Sequence, residues 1–160
     1  MNGGPGASSL QGLFFEGGPL RVNKADDGTY SIGSISDSWA ADANILFVDQ
    51  PVGVGFSYGH LKVTNQSMVS DSFYRFLTGF YNLHPEYRKR DLIMAGESYA
   101  GRYIPNMAIK IREENNKLDA TDQINIKALL ISNGFVTPYQ RLSVRSVPVA
   151  MGAVTDDLLP

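Results

Sequence analysis

The sequence predicts an α/β fold with a mostly parallel sheet, and three observations carry that prediction. Three short apolar runs, 44–48, 91–95 and 127–132, have the length and continuity of buried strands. Two stretches of helical periodicity separate them. The alternation of strand and helix implies right-handed crossovers and therefore parallel pairing. Because the runs are apolar throughout instead of alternating, they predict a sheet covered on both faces.

Each element follows from local chemistry. Asn2-Gly3-Gly4-Pro5-Gly6 predicts a tight, backbone-rich turn. Residues 8–15 predict a short helical turn, broken at Gly17-Gly18-Pro19. Residues 21–38 are largely polar, with a hairpin turn expected at Asp26-Asp27-Gly28. The first strand stops at Asp49-Gln50-Pro51, which is expected to shape a loop, and 52–58 is glycine-rich. From Ser67 the period changes. Val69, Phe73, Phe76, Leu77 and Phe80 share one helical stripe and predict core. Ser67 or Ser70 is the expected N-cap, and Pro85 ends the helix near Leu83. In the helix expected at 102–114, Tyr103, Met107, Ala108 and Ile111 point inward. Pro105 is expected in its first turn, where a missing N–H costs nothing. The last strand ends at Asn133-Gly134, and the single tryptophan, Trp39, is expected in the core.

Composition excludes several function classes. The chain has 160 residues, 43% hydrophobic and 19% charged, as ordinary globular proteins do. The net charge of −2 leaves no basic stripe for nucleic acid. No apolar run approaches the roughly 20 residues of a membrane span. Cysteine is absent, which removes disulfides, thiolate metal sites and a cysteine nucleophile. His60 and His84 are not at zinc-ligand spacing, so neither metal nor cofactor is expected. No leader precedes Met1 and no polar tail follows Leu158-Leu159-Pro160. The chain therefore reads as one partial domain over 1–160, cut at both ends, with too few strands to complete a sheet. An uncovered sheet edge would make the isolated chain poorly soluble or partly folded.

The most informative segment is Gly96-Glu97-Ser98-Tyr99-Ala100-Gly101, between the second strand and the second helix. A serine on a sharp strand-to-helix turn is a nucleophile elbow. It lifts a hydroxyl above the sheet and aims a helix N-terminus at developing negative charge. That arrangement suits acyl transfer through a serine ester. The tetrahedral intermediate carries an oxyanion that needs preorganised N–H donors. The Tyr99 amide is one candidate. The glycine loop 2–6 supplies the other, with Gly4 the expected donor, because glycine lets the backbone approach a substrate closely.

These segments, with Ser8-Ser9-Leu10, Gly12-Leu13-Phe14-Phe15-Glu16, Gly18-Pro19, Asp49-Gln50-Pro51-Val52-Gly53-Val54-Gly55-Phe56-Ser57-Tyr58 and Arg102-Tyr103-Ile104-Pro105, resemble the serine carboxypeptidases, in that family's order. Asn133-Gly134 resembles a further block. The resemblance implies an α/β-hydrolase fold and release of the C-terminal residue from peptides through an acyl-enzyme on Ser98. It implies Gly4 and Tyr99 as oxyanion hole. It implies Asn2, Glu16 and Glu97 as the binders of the peptide's terminal carboxylate. A glutamate there must be protonated to donate to a carboxylate, and burial beside a second carboxyl favours that form. Such binding is expected to weaken as pH rises. A lysosomal, vacuolar or secreted protein is also implied, and the acceptor triplet Asn65-Gln66-Ser67 favours a secretory route weakly.

The chain departs from the family pattern at Met1, at Ala7, where the family usually has cysteine, and at Arg102, where His or Lys is common. No histidine follows Ser98, although in this fold the acid and histidine come after the serine. Asp119, Asp122, Asp156 and Asp157 do follow it, but read as loop or surface acids. Without a base a serine hydroxyl attacks poorly, so the isolated chain is expected to be inactive. An acyltransferase on the same scaffold, or a truncated non-catalytic homologue, are the alternative readings.

Overall fold

In a computed structural model of the chain, residues 1–137 are described; Asp156 and Asp157 lie outside the described residues. The parallel unit consists of strand β3 (Leu92–Glu97) paired with β4 (Ile126–Ser132). Helix α3 (Ala100–Asn115) crosses over between them and lies on the sheet. Helix α2 (Gln66–Leu83) packs on α3. Ahead of these come a short helix α1 (Leu10–Phe15) and an antiparallel hairpin, β1 (Leu20–Lys24) with β2 (Tyr30–Ser34). The hairpin turns at Asp26-Asp27-Gly28, where the Asp27 carboxylate accepts the Thr29 amide and hydroxyl at 2.9 and 2.7 Å.

The core forms where α2 and α3 meet. Val69, Phe73, Leu77 and Tyr81 recur every four residues along α2 and are buried against Ile104, Met107 and Ile111 of α3. Each fully buried aliphatic side chain here stabilises the fold by roughly 1.5–3 kcal/mol. Met94 of β3 and Ile124, just ahead of β4, complete the cluster. Phe76, expected in the stripe, lies off this four-residue row and is exposed. The N-cap is Asn65 and not Ser67 or Ser70. Its side-chain oxygen accepts the Met68 amide at 3.0 Å, while Ser70 sits inside the helix, bonded back to the Gln66 carbonyl.

Four other expectations are corrected. Residues 44–48 form no strand, because no described strand lies alongside to complete a ladder; Val48 instead gives its carbonyl to the Ser9 hydroxyl at 2.6 Å. The sheet is covered on one face only among the described residues: α3 lies on it, and α2 packs on α3. Ile93 and Leu130 are consequently about half exposed, at 52% and 50%. Trp39 is 63% exposed, in a surface turn with its ring over Gly17. Helix α3 starts two residues earlier than expected, so Pro105 falls beyond its first turn and leaves the Gly101 carbonyl without its helical donor.

Met1 extends the sheet on the other edge of β3. Its nitrogen donates to the Ala95 carbonyl at 2.7 Å and its carbonyl accepts the Glu97 amide at 3.2 Å, the pattern of a parallel ladder across Gly96. This contact delivers residues 2–6 directly to the C-terminal end of β3.

Candidate active site

At that end the chain turns sharply. Ser98 has φ 55°, a left-handed conformation uncommon outside glycine. Backbone bonds on both sides hold it there. The Ser98 amide donates to the Ser132 carbonyl at 3.0 Å, and its own carbonyl accepts the Gly101 and Phe135 amides at 3.0 and 2.7 Å. Such a conformation costs about 1–3 kcal/mol and persists only where the surroundings impose it.

The glycine loop packs onto this turn. A Cβ on Gly3 would lie 2.4 Å from the Tyr99 amide nitrogen and 2.8 Å from Ser98 Cβ, so only glycine fits. Gly4 follows with φ 113° and a cis bond to Pro5, and the Ala7 amide closes the turn onto the Gly3 carbonyl at 3.1 Å. The segments bearing the Gly4 and Tyr99 amides therefore adjoin at Ser98. The Tyr99 ring is stacked on Phe135, with centroids 5.9 Å apart, and meets Tyr103 edge-on at 5.0 Å.

Asn2, Glu16 and Glu97 gather beside the turn. Asn2 is only 3% exposed. Its amide nitrogen donates to Glu16 Oε1 at 2.9 Å and its oxygen accepts the Gly12 amide at 3.2 Å. The Gly3 amide donates to Glu97 Oε1 at 3.2 Å. Glu97 is half-buried, whereas Glu16 is exposed.

A profile of the serine carboxypeptidase family matches residues 1–158. The chain belongs to the serine carboxypeptidase family. It is 46% identical over 140 residues to the pheromone-processing carboxypeptidase KEX1 of Tuber melanosporum, covering 86% of this chain and 21% of that protein. It is 43% identical over 138 residues to carboxypeptidase Y homolog A of Uncinocarpus reesii, covering 86% of this chain and 24% of that one. Its fold matches the crystal structure of Kex1(delta)p, a prohormone-processing carboxypeptidase from Saccharomyces cerevisiae, with a TM-score of 0.85 and 36% identity over 97% of this chain and 34% of that chain. The α/β-hydrolase fold is thereby established. The chain spans about a fifth to a quarter of the length of these curated relatives.

Within this serine carboxypeptidase chain, Asp49 joins the glycine-rich loop to the start of α1. Its carboxylate accepts the Ser8 hydroxyl and Ser9 amide, both at 2.7 Å, and the Phe56 amide at 2.9 Å. Burial alone would push the Asp49 carboxyl up. The donors from Phe56, Ser8, Ser9 and Leu10 outweigh it and hold the group below its ordinary range. The two histidines lie apart from the turn in sequence and setting: His60 is exposed in a loop, and exposed His84 sits 3.5 Å from Glu86 at the C-terminal end of α2. No group of metal-ligating side chains occurs among the described residues, and none of the described helices is long and apolar enough to cross a membrane.

Three supporting residues escape sequence reasoning. Gly3 is visible as a glycine but not as the one that touches Ser98. Ser9, almost fully buried, receives the Asn2 amide at 3.2 Å and bonds Val48. Phe135 clamps the Ser98 carbonyl by its backbone alone, which leaves no signature in residue type.

Proposed function

We propose that this chain forms, as one partial domain, the nucleophile and carboxylate-binding part of a serine-type carboxypeptidase. The reading rests on one juxtaposition: the left-handed Ser98 turn lies against the Gly3 loop, which also carries the bonds to Glu97 and, through Asn2, to Glu16.

In this reading the Ser98 hydroxyl attacks the last peptide carbonyl of a substrate. The C–N bond breaks, the C-terminal amino acid leaves, and water hydrolyses the resulting serine ester. The Gly4 and Tyr99 amides receive the oxyanion, a contribution of about 3–4 kcal/mol per donor in comparable sites. Asn2, Glu16 and Glu97 hold the free carboxylate of the substrate. The general base of the family, a histidine oriented by an acid, is not among the residues that follow Ser98 in this sequence and belongs to the full-length protein.

The test is fluorophosphonate labelling of the full-length protein together with hydrolysis of a peptide bearing a free C-terminus. Labelling at Ser98, lost in Ser98→Ala, with release of the last residue, is expected. Labelling at another serine overturns the reading.

A further inference from the structure

We propose that Arg21 is a positioning residue for Glu16; the inference rests on the carboxylate-binding reading above. From the start of β1 its guanidinium turns back onto the preceding chain. One terminal nitrogen donates to the Glu16 carbonyl, and the other to the Gly18 and Leu20 carbonyls at 3.0 and 2.8 Å. Three carbonyls of residues 16–20 thus converge on one cation. Glu16 is the C-cap of α1, whose carbonyls have no helical partner of their own.

Neighbouring contacts brace the same turn. The Trp39 amide donates to the Gly17 carbonyl at 3.1 Å, and the Gly18 amide donates to the Gly12 carbonyl at 3.0 Å. The Trp39 ring covers Gly17, so close that a Cβ there would meet it at 3.2 Å. The Glu16 side chain itself is exposed and, among the described residues, has Asn2 as its one hydrogen-bonding partner, at 2.9 Å. An exposed glutamate gains little precision from its own packing. Its direction is set by the peptide it hangs from, and Arg21 fixes that peptide. The planar fork of arginine spans several acceptors at once, whereas a lysine ammonium acts as a point charge. Carboxylate recognition is sensitive to placement within roughly 0.5 Å, so loosening this turn alters binding before it alters chemistry.

The experiment compares Arg21→Ala and Arg21→Lys with the parent in the full-length protein, on peptides with a free C-terminus and on their C-terminal amides. For the free acids KM is expected to rise about tenfold with kcat within about twofold, consistent with lost positioning. For the amides neither constant moves. In a Glu16→Ala background, Arg21→Ala adds nothing further. An equal effect on acids and amides, a fall in kcat alone, or full additivity with Glu16→Ala overturns the proposal. Should Arg21→Ala fail to fold, Arg21→Lys, which keeps the charge, decides by the same split. A parent that shows no preference for the free acid sinks the carboxylate-binding reading itself; a preference that Arg21→Lys and Arg21→Ala leave intact sinks only the role of Arg21.

Discussion

Gly3 leaves no room for a side chain beside Ser98, since a Cβ there would sit 2.8 Å from Ser98 Cβ. The clash is with backbone and with a short side chain, neither of which can swing away. Gly3→Ala is expected to push the loop off the turn, destabilising the fold by about 1–3 kcal/mol. Fluorophosphonate labelling of Ser98 should slow about a hundredfold, because a displacement near 1 Å is enough for that. Equilibrium unfolding and labelling rate together check it.

The left-handed backbone of Ser98 separates shape from chemistry. Ser98→Thr keeps a hydroxyl but adds a β-branch at φ 55°. It is expected to cost about 1–2 kcal/mol in unfolding free energy, whereas Ser98→Gly is near neutral. Denaturant titration of the two variants distinguishes them, and equal stabilities would show the turn to be tolerant.

Asp49 makes stability depend on acid. Its carboxyl titrates lower in the folded chain than its ordinary value of 3.8, so the unfolded chain binds the proton more readily. Its contribution is therefore fully present above that value and is lost as pH falls through the folded value. Asp49→Asn should cost about 1.5–3 kcal/mol at neutral pH, the range for a hydrogen bond to a charged group. It should also flatten the stability profile below about pH 5. Unfolding measured across acid pH reads both effects.

Asn65 caps α2 through its side-chain oxygen. Asn65→Asp keeps that acceptor and should leave stability nearly unchanged. Asn65→Ala should lose about 1 kcal/mol. Thermal melts of the pair give the answer directly.

Much of this was legible before any coordinates. The elbow at 96–101 announced itself because a strand and a helix meet there with small residues on either side, and short-range sterics dictate such a turn. The hairpin at Asp26-Asp27-Gly28 was legible for the same reason. The core stripe on α2 was legible only in part: Val69, Phe73 and Leu77 follow the period, but Tyr81 was missed and Phe76 misplaced, since burial depends on where α3 lies. The cap at Asn65 was missed because serine and asparagine are near-equal caps and only the chain path chooses between them.

Local sequence by itself determined the family, the Ser98 turn and the residue types around it, because φ/ψ preference, helical period and motif order act over a few positions. Tertiary structure alone decided that, among the described residues, 44–48 joins no ladder and one sheet face lies open, and that Asn2 meets Glu16 while Gly3 meets Glu97 across 94 residues. Pairing, burial and close approach each need a second segment of chain, and no local pattern records where that segment will be.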